Sequence, residues 1–397
     1  MIDRRQFLKI AGIGTAGIGL GKTAGAGMAG ALNAASAGQS GPTDSPRIKV
    51  YRPLGKTGLN LSDIGFGAIK LFNPNALRYA YDCGVNHFDT AEGYLNKNSE
   101  KMLGQTLKDI RSKVVITTKH LLEGPSDMNK AALIGRVEAS LKRLQTDYLD
   151  VALVHSVDEP EKLDNEEVIA AYTQLKKAGK ARFIGFSTHK PAVMLKKALQ
   201  SDIWEVVLTI YNHMEGPPVD PLVAQARKKG IGLIAMKVFA GGMQGSLKSF
   251  VNDKASYSQA AIRWVLGNPN IDACILSMST YTHIEEYIAA SGMPLVRSDL
   301  GLIARYQREA GDQYCRVSCS ECLSACPLGV AVNEVLRYAM YFEHYGMEKN
   351  AIQLYDALDE RQKPVACNSC NAPCEAACPY GLKVREKLLR SRGQMSS

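Results

Sequence analysis

Short β-branched or apolar runs alternate with helical segments eight times between residues 64 and 277. The predicted strands are Ile64–Gly67, Asn86–Asp89, Val114–Thr118, Tyr148–Val154, Arg182–Phe186, Val206–Ile210, Gly232–Met236 and Ala273–Ser277. Helix-period segments lie between several of them, for example Asn129–Leu144, Glu166–Ala178 and Pro218–Lys229. This alternation predicts a parallel sheet with helical crossovers, and eight such units are typical of a (β/α)8 TIM barrel. An open doubly wound sheet is the alternative, although no G-x-G-x-x-G follows the first strand to support a Rossmann-type cofactor site.

Composition is that of a folded protein long enough for two domains. The 397 residues are 46% hydrophobic and 22% charged, with a net charge of +9. Arg4, Arg5, Lys9 and Lys22, less Asp3, supply +3 of that charge near the N-terminus. The other basic residues are scattered without an aromatic-interleaved stripe, so we expect no binding of nucleic acid.

Eight of the ten cysteines lie in the last quarter of the chain, in two groups whose last member precedes a proline. The groups are Cys315, Cys319, Cys322 and Cys326, then Cys367, Cys370, Cys374 and Cys378. Their spacings are C-x3-C-x2-C-x3-C-P and C-x2-C-x3-C-x3-C-P, close to the C-x2-C-x2-C-x3-C-P run of bacterial ferredoxins. This pattern predicts two 4Fe–4S clusters. Disulfides and structural zinc are the alternatives, but disulfide frameworks belong mostly to small chains, and zinc sites prefer paired Cys-x-x-Cys knuckles.

Residues 311–385 resemble a dicluster ferredoxin in a mainly helical form. We predict helices at Val330–Tyr341 and Met347–Leu358. We interpret their aromatic residues as ordinary core residues of these helices. In two-cluster ferredoxins the cysteine before proline ligates the other cluster. The resemblance therefore implies two crossed ligand sets: Cys315, Cys319 and Cys322 with Cys378, and Cys367, Cys370 and Cys374 with Cys326. We interpret Cys83 and Cys274, which lie in the predicted barrel, as buried apolar residues.

The N-terminus has the features of an export signal. Arg4 and Arg5 are followed by Phe-Leu-Lys, a Gly/Ala-rich apolar stretch and the small residues Ala35-Ser36-Ala37. This pattern resembles a twin-arginine signal over residues 1–37, followed by a linker at residues 38–46. Because that route carries folded protein, it suits clusters inserted inside the cell, and we expect an extracytoplasmic or periplasmic location. A membrane helix is the alternative, which abundant glycine and Lys22 disfavour, so we expect no integral membrane segment after the signal is removed.

Ionisable residues follow three neighbouring predicted strands. Asp89 ends the second strand and Tyr94 lies in the loop beyond it, Lys119 follows the third strand, and His155 follows the fourth. Active sites of barrels lie at the C-terminal ends of the strands. We therefore expect these four side chains to meet at one rim.

The motifs around these residues resemble those of the aldo-keto reductases. They are Phe88-Asp89-Thr90-Ala91-x-x-Tyr94, Thr117-Thr118-Lys119, Tyr148-Leu149-Asp150-x5-His155, the opening Tyr51-Arg52-x-Leu54-Gly55-Lys56-Thr57-Gly58 and Gly185-Phe186-Ser187. The resemblance covers residues 49–290 and implies a barrel at 47–300 that reduces carbonyls with a nicotinamide. It assigns Tyr94 as general acid, Lys119 as the cation that lowers its pKa, Asp89 as the partner of Lys119, and His155 as a hydrogen-bond donor to substrate oxygen.

Several cofactor contacts of that family are altered here. The resemblance leaves five candidate cofactor-binding residues: Ser187, Tyr211, Asn212, Lys237 and Ser277. Ser187 is followed by threonine where the family has asparagine, and Leu208, Met236 and Tyr287 replace family residues that contact the nucleotide. The basic residues that hold a 2′-phosphate align with Ser277 and His283, so NAD(P) is expected with weak support for the 2′-phosphate.

Three hypotheses follow for the whole chain. The first is an exported oxidoreductase on a small carbonyl or alcohol substrate, with clusters that pass electrons to or from a redox partner protein. The second is an ordinary nicotinamide-dependent reductase with structural clusters. The third is an electron-transfer or binding protein whose barrel has lost dinucleotide binding. Hydride transfer moves two electrons whereas a cluster accepts one, so a flavin mediator would be usual, but we find no flavin motif.

Overall fold

The computed structural model describes residues 46–122, 124–241 and 256–396. The predicted signal peptide and nearly all of the linker therefore lie outside the described residues. Residues 44–397 form one compact unit. The barrel and the cysteine-rich region, which were predicted as separate domains, thus pack against each other.

Eight parallel strands close into a barrel in the order β3-β4-β5-β6-β7-β8-β9-β10, as the alternation predicts. The strands among the described residues are β1 (Tyr51–Pro53), β2 (Asn60–Ser62), β3 (Ile64–Gly67), β4 (His87–Asp89), β5 (Val115–Leu121), β6 (Leu149–His155), β7 (Ala181–Thr188), β8 (Val206–Ile210), β9 (Gly232–Met236) and β10 (Ala273–Ser277). Strands β1 and β2 form a separate antiparallel pair. Four of the barrel strands have the predicted bounds, but β5 continues to Leu121, so Lys119 lies within a strand rather than after it.

Helices cover the outside of the barrel and build the C-terminal region. They are α1 (Asn75–Asp82), α2 (Asn98–Leu107), α3 (Lys130–Leu144), α4 (Glu161–Asp164), α5 (Glu166–Lys177), α6 (Pro191–Gln200), α7 (Asp220–Lys229), α8 (Tyr257–Leu266), α9 (Tyr281–Ile288), α10 (Arg297–Ala310), α11 (Val332–Tyr345), α12 (Glu348–Asp356), α13 (Pro373–Ala376) and α14 (Val384–Met395). Short 3-10 turns lie at Ala68–Lys70, Lys108–Lys113, Pro125–Met128, Pro217–Val219, Glu360–Gln362 and Cys367–Ser369. None of the described helices is both long and apolar enough to span a membrane.

Local sequence explains where these helices start and stop. The side chains of Asn129 and Asn165 accept backbone hydrogen bonds at the first turns of α3 and α5, so both are N-caps. Gly230 ends α7 in the left-handed region at φ 91°. The predicted barrel end at residue 300 falls inside α10, and α14 runs beyond the predicted end of the cysteine-rich region at 385.

Two apolar layers stabilise the barrel. Inward side chains of the strands form the inner layer, including Val151, Val206 and Ile234. A larger layer lies between the strands and the surrounding helices. Gly185 on β7 admits no side chain, because a Cβ there would lie 1.8 Å from the carbonyl oxygen of Val206.

The cysteine-rich region lies against the C-terminal ends of the barrel strands. An apolar cluster joins Ile210 and Met236, at the ends of β8 and β9, to Tyr314 and Val317 in the first cysteine segment and to Met340 of α11. Helix α11 extends to Tyr345, four residues past its predicted end. This extension brings its last turn over the barrel mouth.

Candidate active site

The four predicted catalytic residues meet at the mouth of the barrel. The Nζ of Lys119 donates to Asp89 Oδ1 at 2.6 Å and to the carbonyl oxygen of Thr90 at 2.5 Å. It also lies 4.9 Å from the ring centroid of Tyr94. The rings of Tyr94 and His155 are edge to face, with centroids 5.8 Å apart. Thus residues from three neighbouring strands form one constellation, as their positions predict.

The loop after β4 places the phenol of Tyr94. Leu95, Asn96 and Lys97 all have left-handed backbones, with φ of 51°, 52° and 68°, so the chain turns sharply after the tyrosine. The backbone N–H of Glu92 donates to the carbonyl oxygen of Lys119 at 3.0 Å and ties this loop to β5. The sequence interpretation missed Glu92, whose buried carboxylate accepts from Arg136 Nε at 2.8 Å.

Burial governs the protonation of the phenol and the imidazole. The pKa of Tyr94 is raised well above 10.0 by burial first, and then by the charges of Asp89 and Tyr341. This differs from the expectation that Lys119 lowers it, because the ammonium is engaged by Asp89 and Thr90 and lies near the ring rather than bonding the hydroxyl. Burial first, and then the charge of Lys119, lowers the pKa of His155 well below 6.5. Tyr94 is therefore a neutral acid and His155 a neutral imidazole.

The buried ion pair beneath them is strongly coupled. Burial lowers the pKa of Lys119, and the attraction of Asp89 opposes that change. Burial likewise raises the pKa of Asp89 against the attraction of Lys119. Both side chains are almost fully buried, and each charge favours the ionised form of the other.

A cavity of about 2230 Å³ opens from this constellation. Ser187, Lys237 and Ser277, three of the five predicted cofactor-binding residues, line it. So do the residues that differ from the family pattern: Leu208, Met236, His283 and Tyr287. The residues that match the family pattern and those that differ from it therefore line the same cavity.

Tyr211 and Asn212 do not line this cavity, so the structure gives them other roles than the predicted one. The Tyr211 hydroxyl donates to Asp220 at 2.5 Å, and its ring stacks on Trp264. The Asn212 side chain accepts from the backbone N–H groups of Met214 and Glu215 at 2.9 and 3.0 Å. Both residues stabilise the turn after β8.

Comparison with known proteins agrees with this geometry. The sequence profile of the Aldo/keto reductase family matches residues 64–253. L-galactose dehydrogenase of Arabidopsis thaliana is 31% identical over 280 residues, which cover 60% of this chain and 87% of the relative. The chain belongs to the aldo/keto reductase family.

Other members share the same barrel. An aldo-keto reductase of Alternaria alternata is 27% identical over 328 residues, covering 62% of this chain and 88% of that protein. The structure of an aldo-keto reductase from Bacillus halodurans superposes with a TM-score of 0.56 at 22% identity, over 65% of this chain and 96% of its own. The latter similarity is one of fold. The chain is thus an oxidoreductase of this family, with a cysteine-rich region beyond the matched residues.

In this reductase, helix α11 forms one wall of the active-site cavity. Arg337 Nη1 lies 2.9 Å from Nδ1 of His189, which follows β7. Lys237 Nζ donates to the Tyr341 hydroxyl at 3.3 Å, and Lys70 Nζ lies 5.2 Å from the ring centroid of Tyr345. The sequence interpretation assigned these tyrosines to helix core and did not identify Arg337 or His189, because a contact across 148 residues leaves no local signal.

Glu215 anchors the first cysteine segment of the reductase to the barrel. Its carboxylate accepts from the Tyr314 hydroxyl at 2.9 Å, from Ser318 N at 3.0 Å and from Ser318 Oγ at 2.7 Å. Tyr314 directly precedes Cys315, and Ser318 directly precedes Cys319. One buried carboxylate therefore joins the loop after β8 to the predicted cluster ligands.

None of the ten cysteines, all of which lie in the described residues, forms a disulfide. Nor does any described group of three His, Cys, Asp or Glu residues lie close enough to hold a single metal ion. A cubane cluster spreads its four thiolates farther apart than one ion does.

The thiols are grouped across the two sequence runs. Four of them line one small cavity: Cys326, Cys367, Cys370 and Cys374. Burial, and then Cys326, Cys374 and Cys370, raise the pKa of Cys367 to about 11. Burial and then Cys319, Cys322 and Cys378 raise the pKa of Cys315. Thiols from the two runs thus lie near one another, and Cys322 has both Cys374 and Cys378 as neighbours. The crossed ligand sets remain a prediction.

Proposed function

We propose that this protein is an exported iron–sulfur oxidoreductase that interconverts a carbonyl and an alcohol at the barrel mouth. The observation that carries the proposal is the shared cavity, which has the Tyr94–Lys119–Asp89–His155 constellation on one side and a helix of the cysteine-rich region on the other. A cysteine-rich domain that took no part in the reaction would not need to line this cavity.

The proton chemistry belongs to Tyr94 and His155. A neutral phenol with a raised pKa holds the proton that the carbonyl oxygen must gain on reduction. The neutral imidazole of His155 donates a hydrogen bond to the same oxygen and orients it. The Lys119 ammonium, held in place by Asp89, supplies positive charge near the oxygen as negative charge develops there.

The family implies a nicotinamide, which supplies the hydride when it is bound. Ser187, Lys237 and Ser277 are the cavity residues that would contact it. Lys237 Nζ lies 4.8 Å from the ring centroid of Tyr341 and has no carboxylate within 4 Å among the described residues. Of these three residues, Lys237 is the one whose positive charge could pair with a cofactor phosphate. None of these contacts favours the 2′-phosphate in particular.

The eight C-terminal cysteines would hold two 4Fe–4S clusters, which supply one-electron transfer. The sets are Cys315, Cys319, Cys322 and Cys378, and Cys326, Cys367, Cys370 and Cys374. Tyr314, adjacent to Cys315, belongs to the apolar cluster that reaches Met236 and Tyr341 at the cavity. This apolar cluster therefore joins the first set to the cavity, and the second set would exchange electrons with a redox partner protein.

Turnover tests the catalytic part of the proposal. Anaerobically purified full-length protein should reduce a panel of ketones and aldehydes with NADH or NADPH, or oxidise the corresponding alcohols with a chemical electron acceptor. Absence of both reactions in protein that retains its iron would contradict the proposal and favour an electron-transfer or binding role.

The proposal also includes export by the twin-arginine route. Replacing Arg4 and Arg5 together with lysine should leave the protein in the cytoplasm with its iron bound, because the route recognises the arginine pair and carries folded protein. Fractionation of cells and iron analysis of each fraction check this. Lys49→Arg, outside the signal, serves as the control, and undiminished export of the double variant would contradict the assignment.

A further inference from the structure

Arg337 determines which ring nitrogen of His189 carries the proton. An arginine side chain can only donate hydrogen bonds, so Nδ1 of His189 must be the acceptor of the 2.9 Å contact from Arg337 Nη1. The single proton of the neutral ring is then on Nε2. A helix of the cysteine-rich region thus selects the tautomer of a histidine in the barrel.

Asp158 fixes the position of this histidine but does not reverse its tautomer. Asp158 Oδ1 accepts from the backbone N–H of His189 at 2.7 Å and from the Thr188 hydroxyl at 3.0 Å. Its Oδ2 lies 3.7 Å from His189 Nδ1, beyond hydrogen-bond distance. Burial first, and then the Arg337 charge, lower the pKa of His189 to about 4, so the imidazole is neutral.

The protonated nitrogen is available to a ligand. His189 lines the active-site cavity with Tyr94 and His155, and no described residue accepts from its Nε2. Strands β6 and β7 are parallel neighbours, with Val154 opposite Phe186. His189 therefore lies one strand over from His155 and farther out along the same wall. The His189 Nε2–H is thus a donor on the same cavity wall as His155.

We propose that His189 is a second hydrogen-bond donor to the substrate, and that the substrate carries an oxygen on the carbon next to its carbonyl, as α-hydroxy ketones and sugars do. His155 donates to the carbonyl oxygen and His189 Nε2 to the neighbouring oxygen. Arg337 acts as a positioning residue through the tautomer. This inference rests on the proposed carbonyl reduction, whose site it deepens.

The test compares 2-hydroxyacetophenone with propiophenone, which replaces the α-hydroxyl by a methyl group of similar size. Wild type should prefer the hydroxy ketone in kcat/KM. His189→Phe should reduce the ratio of kcat/KM for the hydroxy ketone to that for propiophenone by roughly 3- to 10-fold, the effect of one neutral hydrogen bond. His189→Gln, which keeps an N–H donor, should restore part of the preference.

Nitrogen-15 NMR of the histidine rings provides a readout independent of turnover. In wild type, the His189 signals should be those of an unprotonated Nδ1 and a protonated Nε2, and Arg337→Met should mix the two tautomers. Equal losses for both ketones in His189→Phe, or an unchanged tautomer in Arg337→Met, would overturn the inference while leaving carbonyl reduction intact. Failure of wild type to turn over either ketone, or any other carbonyl, would instead contradict the proposed function and with it this substrate assignment.

Discussion

Replacing Tyr94 with phenylalanine is expected to reduce carbonyl turnover by about 10²- to 10⁴-fold, the usual contribution of a positioned general acid. The hydroxyl is the only group removed, and it is the one neutral acid among the four constellation residues, because Asp89 and Lys119 are paired. Steady-state kcat, measured alongside circular dichroism and iron content, checks the prediction. A variant with normal iron and near-normal kcat would contradict the role of Tyr94.

A comparison variant separates chemistry from stability. Lys119→Met should also abolish turnover, but it leaves the Asp89 carboxylate buried without its cation, which costs about 3–5 kcal/mol in free energy of unfolding. Urea unfolding should therefore distinguish it from Tyr94→Phe, whose midpoint stays near that of wild type. Lys177→Met, at an exposed position of α5, is the control and should change stability by no more than about 0.5 kcal/mol.

Removing single cysteines is expected to eliminate clusters in the crossed pattern. Wild type should contain roughly eight iron atoms, and each ligand variant roughly four. Cys326→Ala and Cys370→Ala should lose the same cluster, although their positions belong to different sequence runs. Cys319→Ala and Cys378→Ala should both lose the other.

Electron paramagnetic resonance of the dithionite-reduced proteins identifies which signal remains. Identical residual spectra for the Cys326 and Cys378 variants, or for the Cys326 and Cys319 variants, would contradict the crossing. Cys83→Ala and Cys274→Ala are controls, because these residues lie in the barrel core and their variants should keep all the iron. Iron-free wild type isolated without oxygen would contradict the clusters themselves.

Much of the barrel could be predicted from the sequence because strand and helix periods are local signals. The bounds of β3, β8, β9 and β10 agree with the prediction, since apolar runs there end at turn residues or at the barrel rim. Lys119 was placed after its strand, yet β5 continues beyond it, because the parallel pairing with β6 extends to Leu121 opposite His155. Tertiary pairing, and not local pattern, determines that end.

The convergence of the four candidate catalytic residues was predictable for a different reason. Each lies at or near the C-terminal end of one of three neighbouring strands, and barrel topology brings such positions together. Tyr211 and Asn212 also follow a strand, but their side chains point into the turn, where Asp220 and the backbone N–H groups after Asn212 satisfy them. The position of a residue at the end of a strand predicts that it lies at the barrel rim. Whether its side chain faces the cavity or the turn depends on hydrogen-bond partners elsewhere in the chain.

The contribution of α11 could not be predicted. Its tyrosines have the spacing of an ordinary amphipathic helix, and nothing in that pattern indicates which surface the helix covers. Arg337 meets His189, and Tyr341 meets Lys237, only because Glu215 and the apolar cluster around Ile210 hold the cysteine-rich region on the barrel mouth. Contacts of that kind depend on the packed structure.

The most direct test of a shared site is whether substrate changes the oxidation state of the clusters. Oxidation of an alcohol releases two electrons and two protons, and two clusters that accept one electron each match that count. Anaerobic wild type mixed with an alcohol that it oxidises should show bleaching of the iron–sulfur absorption, and Tyr94→Phe should show none. Conversion of the alcohol by added NAD⁺ or NADP⁺ while the cluster spectrum stays unchanged would contradict the account and leave the clusters a structural role.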